Sequence, residues 1–193
     1  MRINKLFYYL QFIFAPLLIF LGNCMNYRNP RFLCNIKNLF LKLSGIRIKN
    51  KVIISAGFQC LYPKNILIQD CVALGHYNHI WAFDQVIIGS YTQTARDLLI
   101  VAGSHDISSY VPIHNQNVII GQGCWIGARV TILGRVRIGK GCVIGAGSLV
   151  NKDIPDWSVA VGVPAKVIRQ RIPSNVILCP FGEYSPDELK DIE

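Results

Sequence analysis

From Ile120 onward the chain falls into units of six residues: IGQGCW, IGARVT, ILGRVR, IGKGCV, IGAGSL and VNKDIP. The first position is always aliphatic: Ile120, Ile126, Ile132, Ile138, Ile144 and Val150. The second is Gly in four of the six. The fifth holds Cys124, Val130, Val136, Cys142, Ser148 and Ile154, small or branched throughout. Such a unit is too short for a strand, a helix and a turn, but it accommodates one short strand and one corner. Three units then make a triangular coil whose first-position residue points inward and stacks on its equivalent in the next coil. No unit buries its apolar face alone, so the coils must stack. The β-branched residues favour strands, and Gly suits corner dihedrals and close approach. At about 18 residues per coil, roughly 100 residues give five to six coils.

The phase continues upstream more loosely. Ile68, Leu74, Ile80 and Val86 keep a six-residue spacing, and Ile88-Gly89 restarts it two residues out of step, followed by Thr94 and Ile100. Between Ile100 and Ile120 the phase is lost. A regular solenoid gains nothing from interrupting its stack, so residues 103–117 are predicted to form a functional loop.

The first fifty residues follow a different pattern. From Leu6 to Met25 the chain is apolar except for Gln11 and Asn23, and Pro16 divides it. That length approaches a bilayer span, and a span, a hairpin dip and an in-plane helix all remain open. A signal peptide is the rival reading, but no small-x-small cleavage site follows convincingly. Next, Asn29 suits a helix cap, Pro30 its first turn and Gly45 the position after its end. Phe32, Leu33, Ile36, Leu39, Phe40 and Leu43 share one helical stripe, with Arg31, Lys37 and Lys42 off it. This is a basic amphipathic helix, suited to a membrane surface, to packing on the main domain, or to both. At the other end, Ser185-Pro186-Asp187-Glu188 reads as the start of a short helix with a capping box. The domain boundaries are therefore 1–50 for the helical segment, 51–171 for the repeat domain and 172–193 for the tail.

Charge supports this division. Residues 1–69 hold ten Lys/Arg and no Asp or Glu, whereas residues 70–193 hold ten Lys/Arg and eleven Asp/Glu. The net charge of +9 belongs to the first third. Its apolar surroundings favour anionic lipid over nucleic acid. Arg28, Arg31, Lys37 and Lys42 outnumber Arg2 and Lys5, so the positive-inside rule keeps the bulk of the protein cytoplasmic. A mean hydropathy of +0.33, with 16% charged residues, excludes a disordered chain. The seven Cys form no C-x-x-C pair. They suggest neither disulfides nor zinc, and Cys124 and Cys142 read as buried hydrophobes in a reducing compartment.

Four His are present: 76, 79, 105 and 114. His105 stands out because it follows Gly103-Ser104, lies where the repeat breaks, and has Asp106 beside it. Here the chain resembles a known family. GSHD at 103–106, CWIGARVTI at 124–132, VIGAGSLVNKDIP at 143–155 and AVGVPAKVIR at 160–169 are similar to stretches of the hexapeptide-repeat sugar O-acetyltransferases. These include galactoside and maltose acetyltransferases and those acting on capsule, colanic acid or O-antigen units. The resemblance spans about residues 50–171 and implies an all-β, left-handed parallel β-helix, the hand coming from the resemblance alone. It implies acetyl-CoA as co-substrate, no metal, a sugar or glycan acceptor, and a homotrimer with its sites between chains. His105 would be the general base, taking the proton of a substrate hydroxyl, a role suited to imidazole.

The resemblance implies further residues. Asn78 would contact the acceptor or the reaction centre. Asp106 would orient His105 or cap a turn. Trp125 would wall the acetyl end of the CoA groove or pack at a subunit contact. Ala128 and Ala146 would let the pantetheine arm approach backbone, and Asn151, Lys152, Lys166 and Arg169 would meet its phosphate and adenine end. Lys166 stands where Arg is frequent, which puts a bidentate contact in doubt. The greasy basic N-terminus points to an acceptor at the cytoplasmic face of a bacterial inner membrane. Other readings are a transferase for a small soluble acceptor (antibiotic, free sugar or serine) or a non-catalytic scaffold of the same fold. A γ-class carbonic anhydrase needs three His in a definite pattern, which His76, His79 and His105 do not reproduce.

Overall fold

The computed structural model describes residues 15–21, 31–172, 178–179 and 182–183. The repeat folds into a parallel β-helix of five full coils with a sixth begun. Each coil lays one short strand on each of three faces. The first face carries Arg47–Ile48, Ile66–Ile68, Val86–Ile88, Val118–Ile120 and Val136–Ile138. The second carries Ile53–Ile54, Ala73–Leu74, Gln93–Thr94, Trp125–Ile126, Val143–Ile144 and Ser158–Gly162. The third carries Gln59–Leu61, His79–Trp81, Leu99–Val101, Thr131–Leu133 and Leu149–Val150. Inward residues stack in files along the axis, for example Ile48, Ile68, Ile88, Ile120 and Ile138, all buried. The first and fifth positions of every repeat unit from Ile120 to Ile154 point into this core.

The two-residue slip has a simple cause. Ile68 pairs with Ile88, 20 positions on, while Ile120 pairs with Ile138, 18 positions on. The early coils are longer at the corner between the third and first faces, where Pro63–Asn65 forms a 3-10 turn. The insertion that breaks the phase sits at the same corner, two coils higher. Glycine's two expected roles fall on different positions of the unit. The second-position glycines serve close approach: a Cβ on Gly121 would lie 2.6 Å from the Lys140 amide nitrogen. The left-handed corner residue is the fourth, as at Gly141 (φ 66°) and Arg129 (φ 56°).

Cys124 and Cys142 are buried, as their repeat positions predict. Cys60 is part-buried, and desolvation pushes its thiol up to about 12. A thiol held neutral in this way is a packing group.

The helix Arg31–Leu43 forms where expected and ends at Gly45 (φ 111°). It lies against the first coil. Its orientation differs from the one that apolar burial alone predicts. Lys37, Leu41 and Ser44 are buried, with Asn38 half-buried, whereas Leu39 and Leu43 are 54% and 61% exposed. The physical reason is the edge of the first coil, which has no strand beneath it to satisfy its polar backbone. Lys37 Nζ donates to the Ser55 carbonyl at 2.8 Å, and Asn38 Nδ2 donates to the Val52 carbonyl at 2.8 Å. The polar stripe therefore turns inward. The cap at Asn29 and Pro30, the side chains of Phe32 and Leu33, and the helix expected from Ser185 lie outside the described residues.

Burial pulls the Lys37 ammonium down from 10.5 to about 8, against a weaker opposing pull from Cys34. Between those values the unfolded chain holds a proton that the folded chain has shed. Stability therefore rises with pH through that window, and the penalty for burying the charge is fully present below it. A Lys37→Met variant is expected to lack this rise. Thermal melts of parent and variant at both ends of the window check it: their midpoints should shift relative to one another in the parent's favour as pH increases. A constant difference would show that the ammonium stays charged.

Candidate active site

The insertion between the third and fourth coils is a two-stranded ribbon. Ser104–His105 pairs antiparallel with Pro112–Ile113. Its base is fastened to the corner of the coil below: the Gln116 amide donates to Asp84 Oδ2 at 2.8 Å, and the Gln85 amide to Asn117 Oδ1 at 3.0 Å. Gly103 lets the chain leave the solenoid over the Phe83 ring, where a Cβ would lie 2.7 Å from Phe83 Cδ2. The ribbon thus projects from a fixed root.

His105 is exposed on this ribbon, and its Nδ1 lies 2.9 Å from the Tyr110 carbonyl oxygen. A carbonyl only accepts, so Nδ1 carries the proton and Nε2 presents a lone pair. The ring is held in the tautomer a general base requires.

Asp106 does not orient that ring. Its Oδ1 accepts from the Ser108 and Ser109 amides at 3.0 and 2.8 Å and from the Ser109 hydroxyl at 2.9 Å. The Ser109 amide and hydroxyl, with the Ser108 amide, hold its carboxyl below the ordinary aspartate range. Of the two roles open to it, the structure selects the turn cap. The carbonyl of Tyr110 does the orienting; only folding the ribbon reveals it, because Tyr110 contributes backbone and not its side chain.

Asn78 is a correction. Its residue is 0% exposed inside the second coil. Oδ1 accepts from the Leu98 amide at 2.9 Å, and Nδ2 donates to Thr94 Oγ1. A side chain so enclosed does not face an acceptor in this chain, and its two bonds stitch the second coil to the third. The outward residue of that corner is Tyr77, half exposed, with the Arg96 guanidinium 5.7 Å from its ring centroid. Sequence reading passed over both.

The remaining predicted residues divide between two edges of the prism. Ala128 and Ala146 lie at the corner between the second and third faces, in successive coils. Lys166 follows the tight turn at 162–165, where the strand Ala165–Gln170 folds back antiparallel on Ser158–Gly162 at that same edge. Arg169, opposite Val159, lies farther along this strand. Trp125 points outward from the second face beside Gln93 and Val143 and is 47% exposed. Asn151 and Lys152, both exposed, follow Leu149–Val150 at the third-to-first corner, the edge that carries the His105 ribbon. One chain therefore keeps His105, Asn151 and Lys152 on one edge and Ala128, Ala146 and Lys166 on another. Among the described residues, no group of three or more His, Cys, Asp or Glu side chains is arranged to hold a metal.

Residues 117–152 match the family model described as bacterial transferase hexapeptide (six repeats). The chain is 30% identical over 145 residues to a putative colanic acid biosynthesis acetyltransferase of Escherichia coli K12, covering 75% of this chain and 80% of that protein. Among solved structures, a maltose O-acetyltransferase from Clostridium difficile 630 superposes with a TM-score of 0.72 at 25% identity, covering 82% of this chain and 85% of that one. A hexapeptide-repeat acetyltransferase from Vibrio cholerae complexed with acetyl coenzyme A shares the fold, with a TM-score of 0.65 at 22% identity, covering 82% and 86% of the two chains. The chain belongs to the hexapeptide-repeat acetyltransferases.

Proposed function

We propose that this protein moves an acetyl group from acetyl-CoA to a sugar hydroxyl in the biosynthesis of a cell-surface polysaccharide, with His105 as general base. The observation that carries the reading is the His105 ring, pinned through Nδ1 with Nε2 free on an exposed ribbon. In the reaction, the acceptor hydroxyl oxygen bonds to the acetyl carbonyl carbon and the carbon–sulfur bond breaks. Nε2 takes the hydroxyl proton and returns it to the departing thiolate, so the imidazole ends as it began. The co-substrate supplies an activated thioester, and no acyl-enzyme is required.

The pantetheine arm is a chain of amides and suits an edge where small residues leave backbone within reach. The corner at Ala128 and Ala146 offers such an edge, and the basic side chains of Lys166 and Arg169 suit phosphates. Because His105 stands on a different edge, we assign the complete site to two neighbouring copies in a closed ring, as in a trimer. One copy contributes His105, Asn151 and Lys152, and the next contributes the Ala128–Ala146 edge and Trp125. The ribbon's exposed apolar residues, Ile107, Tyr110 and Val111, suit burial against that neighbour. The sugar acceptor rests on the named activities of the colanic acid and maltose relatives.

The test is CoA release by the purified full chain given acetyl-CoA with nucleotide sugars and cell-envelope glycans in turn. Release with one class of acceptor is expected. Release with antibiotics or serine alone would replace the acceptor assignment, and failure to bind CoA by calorimetry would refute the reading.

A further inference from the structure

The helix Arg31–Leu43 turns a lysine and an asparagine inward and leaves leucines outside. Helical periodicity puts Ile36, Leu39 and Leu43 on the face opposite Lys37 and Leu41. The helical residues 15–21 repeat the arrangement. Ala15 and Ile19 are buried, with Ile19 joining the main core, while Leu17, Phe20 and Leu21 are exposed. Two pieces of one N-terminal segment thus each bury one face and expose an apolar one.

Around this surface positive charge predominates. Lys42, Arg47 and Lys49 are exposed, against Asp70, whose carboxylate accepts from Asn50 of the first coil. That selects the occupant. A second copy docked face to face would bring two predominantly basic surfaces together. The chain's own first fourteen residues carry Arg2 and Lys5 and no acid, so they offer no counter-charge either; the acids of residues 183–193 match the charge, but Leu189 and Ile192 are the only aliphatic residues there to set against the leucine face. Anionic lipid matches both features at once, burying the leucines and neutralising the basic rim.

We propose that the outward face of the helix Arg31–Leu43, with the exposed face of residues 15–21, lies in the surface of an anionic bilayer, and that the β-helix stands upright on it, first coil down. The helix then serves two surfaces. Its polar stripe closes the end of the solenoid through Lys37 and Asn38, and its apolar stripe enters the headgroup layer. The geometry sets a height. Coils rise about 4.8 Å each, and a helix is about 10 Å across. The His105 ribbon leaves the third coil, so it stands roughly 20 Å above the lipid. On the transferase reading above, that height suits a glycan held at the membrane by its own lipid anchor and extended by a few sugars.

Flotation of the full chain with vesicles tests this. Binding to equimolar phosphatidylcholine and phosphatidylglycerol is expected, with weaker binding to phosphatidylcholine alone and loss at high salt. The double variant Leu39→Gln/Leu43→Gln should lose about 100-fold in vesicle partitioning, with unchanged melting because both side chains are exposed. Wild-type flotation of that variant would overturn the proposal, because the helix Arg31–Leu43 would then contribute nothing to docking. Unchanged flotation with a changed oligomeric state would overturn it in favour of a second copy on this face. CoA release by the variant with a soluble acceptor, measured separately, keeps a failure of membrane docking distinct from a failure of the transferase reading.

Discussion

Replacing His105 by Ala is expected to lower turnover about 10²–10⁴-fold, the usual contribution of a positioned base. The reasoning follows from the ribbon. A sugar hydroxyl is a weak nucleophile at neutral pH. Nδ1 is committed to the Tyr110 carbonyl, so the free lone pair on Nε2 is the feature that makes this ring a base. The ring is exposed and contributes nothing to the core, so the melting midpoint and CoA affinity should stay as in the parent. Added imidazole should restore part of the lost rate, which a merely structural histidine would not allow. Turnover within about twofold of the parent, at saturating acceptor, would remove His105 from the mechanism.

Asn78→Ala is expected to do the reverse. The substitution strands the Leu98 amide and takes a partner from the Thr94 hydroxyl, in a place where the asparagine has 0% exposure. An unsatisfied buried donor costs about 1–3 kcal/mol, and the small cavity adds to it. A total of about 2–4 kcal/mol is expected from urea denaturation, with turnover per folded molecule nearly kept. A variant that melts like the parent but turns over poorly would return Asn78 to the acceptor site.

These residues mark where the sequence was legible. The six-residue period identified the inward files from Ile120 to Ile154, because a strand admits two faces and the core only one. The lost phase after Ile100 located the His105 ribbon for the same reason. Asn78 was readable by that rule. It lies two positions before the inward Ile80, as Leu98 lies before Ile100 and Ser148 before Val150, and that position points into the coil. Its polarity disguised it. The facing of the helix Arg31–Leu43 was not readable, because an apolar stripe implies burial only where the neighbouring surface is apolar. Here that surface is a strand edge whose carbonyls take hydrogen bonds from Lys37 and Asn38. The division of the predicted CoA residues between two edges was hidden as well. Residue spacing records which face a side chain occupies, whereas meeting across copies depends on how whole prisms pack.

The closure of the first coil by Lys37 and Asn38 bears on how the protein can be handled. A shortened chain starting after Gly45 would be the natural choice for removing the apolar N-terminal residues. It would also remove the plug from a column of parallel strands whose far end is sealed by the fold-back of Ala165–Gln170. The uncovered rung, Arg47–Ile48 with Ile53–Ile54 and Gln59–Leu61, is a template for any passing strand. Such a preparation would tend toward polymer, and loss of activity in it would report filament growth rather than a catalytic need for residues 1–45.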